Sequence, residues 1–451
     1  MVNPSSLTFM KSHAMHHDSP STGTVTGIVS EAMKVLARST QPLRKSALVP
    51  HPRLDALRRL GTKKIYADTA DVEELNTLLA IDERSIYAEV DGNTANQPLV
   101  HKVLQTYLTG FDPRAFVEQF VFPRERRPTL EQATLCYAVI CAKIGNDFDH
   151  LFSCGRSWEV SLQLHMGLTK FPNPAKDIAR SIRQMAPSAI IKVPFAPYAP
   201  ECFIVARDLE REGIPVNFTS TFSARQVVAA ALLCNVTRTN VFLGRLDQGL
   251  EASLLGAHVS LEAQRNLRRL RQAVGVNTQL IVASLRNWET FLHTAGCDVY
   301  TAPVKVLRDW MRQDQIDQEQ LVSGLDHSYG DRLDISASVQ SLLGPERIAR
   351  LYSVEPSFVD FLMTFRETRE WHELNDAEAL FKRFEEAGFG DMFYSPRQND
   401  WSEIRRGKLP DLNGALMRDL PLDTLYSLLA DADFEKQQEE MDDLVARHIN
   451  Q

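Results

Sequence analysis

Through the middle of the chain, short runs of branched aliphatic residues alternate with longer stretches that are apolar along one side only. The clearest pair of runs is Ile190-Ile191-Lys192-Val193-Pro194 and Ile214-Pro215-Val216-Asn217-Phe218-Thr219. Unbroken aliphatic runs suit strands buried on both faces, as in a parallel sheet. Between them, Glu201 to Glu212 sets Phe203, Ile204, Ala206 and Leu209 at helical spacing, and Gly213 ends the helix. The pattern predicts a strand–helix–strand unit with a polar residue at the carboxyl end of each strand. That end carries the chemistry of parallel barrels. A lysine held among aliphatic groups has its charged form disfavoured, so its amine becomes nucleophilic closer to neutral pH. Alone, Lys192 reads more simply as a strand-end lysine reaching water.

The same alternation extends in both directions. A strand over Lys63–Thr69 runs into Asp68, and a helix over Asp71–Ala80 follows, with Val72, Leu75, Leu78 and Leu79 on one face. A second strand over Ile86–Val90 leads into Asp91-Gly92-Asn93-Thr94-Ala95-Asn96, and helical patterns fill much of 98–148. A third strand near Phe152–Val160 is expected to end at Glu159. Beyond Thr219 come a helix over Phe222–Cys234, a strand over Thr239–Arg245 and a basic helix around 260–274. Strands over Thr278–Arg286 and Asp298–Thr301 complete the series, stopped by Pro303. Eight strands separated mostly by helices predict an α/β fold, a (β/α)8 TIM barrel, over residues 61–310. From 311 to 430 the pattern turns helical, with Phe358, Phe361, Leu362 and Phe365 on one face of Val354–Trp371, and Leu380, Phe381 and Phe384 on Ala377–Ala387. This stretch reads as a helical insertion or small helical domain, and residues 431–451 as a closing helix.

Composition removes several classes of function. A formal charge of −8 argues against nucleic acid or an anionic membrane as the main partner. No apolar run reaches the roughly 18 residues of a membrane-spanning helix. The cysteines, Cys136, Cys141, Cys154, Cys202, Cys234 and Cys297, form no C-x-x-C pair and read as buried reduced thiols of a cytoplasmic protein. Residues 1–60 read as an extension whose first 24 residues lack periodicity and are expected to be disordered. Across that extension eight Lys/Arg face three acids, an imbalance also found in organelle transit peptides. Asp18 interrupts it, and a flexible tail is the reading adopted. His13, His16 and His17 have nothing nearby to complete a metal site, so none is assigned.

Taken in order, the strand ends resemble those of the transaldolase family. They are Ala67-Asp68-Thr69, Asn93-Thr94-Ala95-Asn96, Trp158-Glu159-Val160, Ile191-Lys192-Val193-Pro194 and Asn217-Phe218-Thr219, followed by Phe242-Leu243-Gly244-Arg245, Ala283-Ser284-Leu285-Arg286-Asn287 and Ala295-Gly296-Cys297-Asp298. Each is unspecific alone; eight in order cover about half of the chain. Phe434-Glu435-Lys436-Gln437-Gln438 is similar to the family's closing helix.

The resemblance implies class I aldol chemistry on sugar phosphates without a cofactor. Lys192 would form a Schiff base with a ketose phosphate and act as the electron sink for C3–C4 cleavage. Asp68 would be the general base at the C4 hydroxyl, and Glu159 with Thr219 would shuttle protons through a water. Asn96 and Asn217 would hold the hydroxyls of the dihydroxyacetone fragment, with Thr94, Asn240 and Phe242 also at the substrate. Arg245, Ser284 and Arg286 would grip the phosphate. Singly, blander readings stand beside these: Asp68-Thr69 as a helix cap, Glu159 and Arg245 in ion pairs at a barrel rim, Asn217 satisfying backbone groups.

Two positions depart from the family pattern. Ala95-Asn96-Gln97-Pro98 stands where the family usually has Thr-Asn-Pro-Ser, and Asn240 stands where a serine commonly meets the dihydroxyacetone unit. The lead expectation is dihydroxyacetone transfer from a ketose phosphate to an aldose phosphate, of pentose phosphate pathway type. The alternatives are a fructose-6-phosphate aldolase, which releases the three-carbon unit, and a non-catalytic sugar-phosphate sensor. In the aldolase branch the glutamate position is typically glutamine and the Phe242 position tyrosine, so Glu159 and Phe242 together favour transfer. A homodimer is left open.

Overall fold

Eight parallel strands close on themselves in chain order: β1 Lys64–Asp68, β2 Gly92–Thr94, β3 Glu159–Gln163, β4 Ala189–Pro194, β5 Val216–Thr219, β6 Arg238–Phe242, β7 Gln279–Ala283 and β8 Val299–Ala302. β8 returns to pair with β1 through Thr301 opposite Tyr66, which seals the barrel. This computed structural model describes residues 47–79, 86–110, 130–153, 156–314, 321–327 and 329–449. The expected disorder of the first 24 residues, the histidines among them, Cys154 and part of the 98–148 helical pattern lie outside the described residues. The expected (β/α)8 barrel is the fold observed, with helices around it and further helices after β8.

Every residue of β4 is buried, as its aliphatic run requires, and so is every residue of β5, β6 and β8. Two strands differ from expectation. Ile86–Ala88 pairs outside the barrel with Ala47–Val49, and the barrel strand is the short segment Gly92–Thr94. Gly92 permits this because a Cβ there would run into the Glu159 carbonyl across the β2–β3 pair. The third strand starts at Glu159 instead of ending there. The apolar residues before it belong elsewhere: Phe152 ends the helix Leu130–Phe152, and Trp158 tilts against its ring at 5.4 Å.

Helices beyond β8 add a layer on one flank. The stretch expected as one helix over Val354–Trp371 is two, Pro356–Arg366 and Arg369–Glu373, because Thr368 caps the second by accepting the Trp371 N–H. With Ala377–Glu386 they pack on the helix Glu201–Arg211: Phe384 and Phe393 lie against Phe203, and Arg207 donates to the carbonyls of Trp371 and Leu374. The apolar core runs without a break from the barrel into this layer. At the other end, the helix Pro52–Arg59 fully buries Leu54 and Leu57, and the Trp310 indole donates to the Arg53 carbonyl at 3.2 Å.

The last helix, Leu422–Ile449, begins well before residue 431. It crosses the carboxyl end of the barrel. Ser427 donates to the Ser220 carbonyl after β5 at 2.7 Å, Phe434 meets the Phe242 ring at 6.4 Å, and His165 after β3 bonds Asp442 at 3.1 Å. The helix therefore roofs the strand ends of β3, β5 and β6. Among the described residues no helix is long and apolar enough to cross a membrane, and the five described cysteines are buried and free.

Candidate active site

Side chains that bridge strands which do not pair must pass through the barrel interior, and such bridges define it. Near the amino ends, Glu159 on β3 accepts from Arg238 on β6 at 2.6 Å and from the Tyr66 hydroxyl on β1, with Lys64 at 3.3 Å. Higher up, Asn217 on β5 reaches Ser161 on β3 at 3.5 Å, and Thr94 on β2 meets Thr301 on β8 at 2.6 Å. Glu159 thus belongs to a charged floor. The residue expected to shuttle protons at Lys192 is therefore placed at the amino end of β3. Four residues of strand, about 13 Å, separate its level from that of the lysine's neighbour.

Gln163 is that neighbour. Residues 159, 161 and 163 alternate onto the inner face, and Gln163 lies opposite Lys192 in the β3–β4 register, as Asn217 does in β4–β5. The residue opposite Lys192 on β3 is therefore an amide, not a carboxylate. Gln163 Nε2 leans toward the Met166 sulfur at 3.5 Å, and its Oε1 is buried without a hydrogen-bond partner. The alternation Val160-Ser161-Leu162-Gln163 was the sequence signal for it.

At the carboxyl mouth, the Lys192 amine donates to the Ala95 carbonyl at 3.2 Å. Only 4% of the residue is exposed. Burial lowers its pKa from 10.5 to about 8, against an opposing pull from Asp68. Burial also raises the Asp68 pKa, while Lys192, the Thr94 hydroxyl at 2.7 Å and Arg286 act in the other direction. Asp68 and Lys192 thus sit within electrostatic reach, each biased toward its neutral form. That bias suits a base and a nucleophile.

Around them the structure gathers Thr219, Asn217 and Asn240. Asn240 is buried and donates to the Thr219 hydroxyl at 2.7 Å, and its side-chain Oδ1 accepts from Thr221 at 3.3 Å. The Asn217 Oδ1 is buried with no hydrogen-bond partner. Asn96 sits at the rim, where its Oδ1 accepts the Leu99 N–H at 3.2 Å and caps the helix Gln97–Gly110. Gln97, which departs from the family pattern, is buried and donates to the Leu164 carbonyl at 3.0 Å, tying the β2 loop to the end of β3.

A cationic corner lies past β6 and β7. Phe242 ends β6, and the Arg245 guanidinium lies 5.7 Å from its ring and 5.7 Å from that of Phe434. Arg245 donates through Nη2 to Asp433 of the closing helix at 2.8 Å, while its Nη1 is buried without an acceptor. Ser284 follows β7 with a left-handed backbone, φ 66°, and Arg286 is exposed beyond it. A side chain at Gly244 would collide with the Ser284 carbonyl and press on Arg286, so glycine lets the two strand ends close together. Burial and then Arg245 lower the Arg286 pKa, and Asp68 opposes them, which puts the two guanidinium groups and the carboxyl in one electrostatic neighbourhood. Of the residues expected at the site, Glu159 stands on the barrel floor.

The structure is thus a parallel (β/α)8 barrel with a buried lysine and a carboxyl at its roofed mouth. The family model for Transaldolase/Fructose-6-phosphate aldolase matches residues 65–342, more than half of the chain, and the chain belongs to that family. A probable transaldolase of Herpetosiphon aurantiacus is 27% identical over 261 residues, 56% of this chain and 90% of that protein. A probable transaldolase of Moorella thermoacetica is 32% identical over 128 residues, 28% of this chain and 54% of that protein. The transaldolase of Chlamydia caviae is 30% identical over 133 residues, 28% of this chain and 39% of that protein. The chain thus spans about half or less of the latter two relatives.

Proposed function

We propose that the barrel carries out Schiff-base aldol chemistry on ketose phosphates, transferring a dihydroxyacetone unit to an aldose phosphate. The observation behind this is Lys192, a buried amine with a pKa of about 8, beside Asp68 at the carboxyl mouth. The amine adds to the C2 carbonyl of the donor and loses water, giving an iminium. Asp68 takes the C4 hydroxyl proton, the C3–C4 electrons move into the iminium, and the aldose leaves with a new carbonyl. The remaining enamine attacks the acceptor aldehyde, and water then releases the product ketose. Arg245 and Arg286 are the natural clamp for the phosphate end, since guanidinium forks match its oxygens.

Gln163 supports a second reading, cleavage with release of free dihydroxyacetone. An amide rather than a carboxylate lies opposite Lys192 in the strand register, whereas Glu159 and Phe242 are the residues the family resemblance associates with transfer. An amide beside the imine orients water but takes up no proton. Incubation with fructose 6-phosphate, with and without erythrose 4-phosphate, separates the two readings. Sedoheptulose 7-phosphate formed only with the acceptor supports transfer, and free dihydroxyacetone without acceptor supports cleavage. Borohydride trapping that labels no peptide containing Lys192 would sink both.

A further inference from the structure

We propose that Asp433, on the closing helix, is a positioning residue for Arg245, holding its guanidinium so that Nη1 is presented to the phosphate of the substrate. The inference rests on the phosphate-binding reading of Arg245 and adds the closing helix to that site. An arginine side chain has many rotamers, and its fork must be fixed in plane and in rotation to match a phosphate. Here three contacts fix it. The Phe242 and Phe434 rings each lie 5.7 Å from the guanidinium carbon, and Asp433 Oδ2 accepts from Nη2 at 2.8 Å. Two of these partners, Phe434 and Asp433, belong to the closing helix. The Nη1 group is left buried with no acceptor. A buried N–H without a partner is costly, and an anion at the barrel mouth removes that cost.

The charge count is consistent with this role. Asp433 offsets one guanidinium, while Arg286 keeps the corner cationic. Asp431, two residues earlier on the same helix, is fully buried, and burial raises its pKa well above the carboxylate range. Of these two carboxyls, Asp433 is the one that hydrogen-bonds Arg245.

The test compares Asp433→Ala, which removes the acceptor, with Asp433→Asn, which keeps a carbonyl oxygen, and Arg245→Ala as reference. Readouts are KM for fructose 6-phosphate, competitive inhibition by inorganic phosphate, and cyanoborohydride trapping of unphosphorylated dihydroxyacetone at Lys192. Asp433→Ala should raise KM and the phosphate inhibition constant by about ten-fold while dihydroxyacetone trapping stays at the wild-type rate. Asp433→Asn should fall between it and the wild type. Unchanged or tighter phosphate inhibition in Asp433→Ala overturns the proposal, the latter because the carboxylate would then be a competitor. Equal loss of trapping and phosphate binding would also overturn it, by reducing Asp433 to a strut for the helix. If Asp433→Ala fails to fold, the same comparison is made on Asp433→Asn. Should Arg245→Ala leave phosphate inhibition unchanged, the phosphate-binding reading itself fails; if only the Asp433 variants are silent, that reading stands.

Discussion

Replacing Asp68 by Asn should speed imine formation at neutral pH while stopping turnover. Burial draws the Lys192 pKa down from 10.5 to about 8, and the Asp68 carboxylate is the one charge opposing it. At a pKa of about 8, roughly one lysine in ten is neutral at pH 7, against roughly one in three thousand at the ordinary value. Removing the opposing charge takes the pKa lower still. A nearby opposite charge typically changes acidity by about ten-fold or more. The neutral fraction at pH 7 would then rise from roughly a tenth to roughly a half, a gain of about five-fold in the rate of amine addition. Cleavage moves the other way, because no group remains to take the C4 hydroxyl proton, and a lost general base costs about 10²–10⁴-fold. The assay is cyanoborohydride trapping of dihydroxyacetone from pH 6 to 10, followed by mass, alongside steady-state turnover of fructose 6-phosphate. Dihydroxyacetone has no phosphate to titrate, so the midpoint of trapping reports the amine. The wild type should rise through a midpoint near 8, and Asp68→Asn through a lower one. A wild-type midpoint near 10, or a midpoint raised by the substitution, would refute the reasoning.

Further outcomes follow from the same geometry. Glu159→Gln should lower stability by about 1–3 kcal/mol, since Arg238 loses its carboxylate inside the barrel, while kcat per folded molecule stays near wild type; a thermal melt paired with active-site titration checks this. A collapse of kcat with an unchanged melt would return Glu159 to the chemistry. Gln163→Glu puts a carboxylate opposite Lys192, so the trapping midpoint should move to higher pH and the ratio of released to transferred dihydroxyacetone should change. An unmoved midpoint would show that residue 163 does not face the amine. Asn240→Ser removes the donor that now holds the Thr219 hydroxyl, and the ratio of kcat/KM between fructose and sedoheptulose phosphates should change by about ten-fold. Identical ratios in both proteins would take Asn240 out of specificity.

Where side-chain pattern and backbone geometry agree, the barrel can be read from the chain. Apolar runs marked β4, β5 and β7, and Lys192 lies on β4 and Asn217 and Thr219 on β5 as expected, because burial on both faces leaves little choice of residue. The two strands that misled are those whose local chemistry is atypical. β2 is three residues, Gly-Asn-Thr, with no aliphatic run, and it exists because Gly92 admits the β3 backbone, a tertiary fact. The neighbouring Ile86–Ala88 has the better strand composition and pairs outside the barrel. Intrinsic preference therefore pointed to the wrong segment of the two.

β3 shows why one slip mattered more than the other. Because inner residues recur every two positions, shifting the strand by four keeps the same face inward and every local check still passes. Glu159 and Gln163 both point into the barrel, one at its floor beside Arg238 and one beside Lys192. What separates them is height along the axis, and height is set by pairing to neighbouring strands, which no single segment encodes. A closing helix was expected, but its contacts with the strand ends were hidden for a related reason. Asp433 and Phe434 lie 188 or more positions beyond Arg245 and Phe242, and nothing local ties an acidic amphipathic helix to a particular strand end. Solvation alone explains the acidic outer face of that helix. Its inner face, with Ser427 on the Ser220 carbonyl and Asp433 on Arg245, is explained only by the strand ends it covers. Substitutions on the two faces should therefore behave differently, those outside being nearly neutral and those inside acting on substrate affinity before stability.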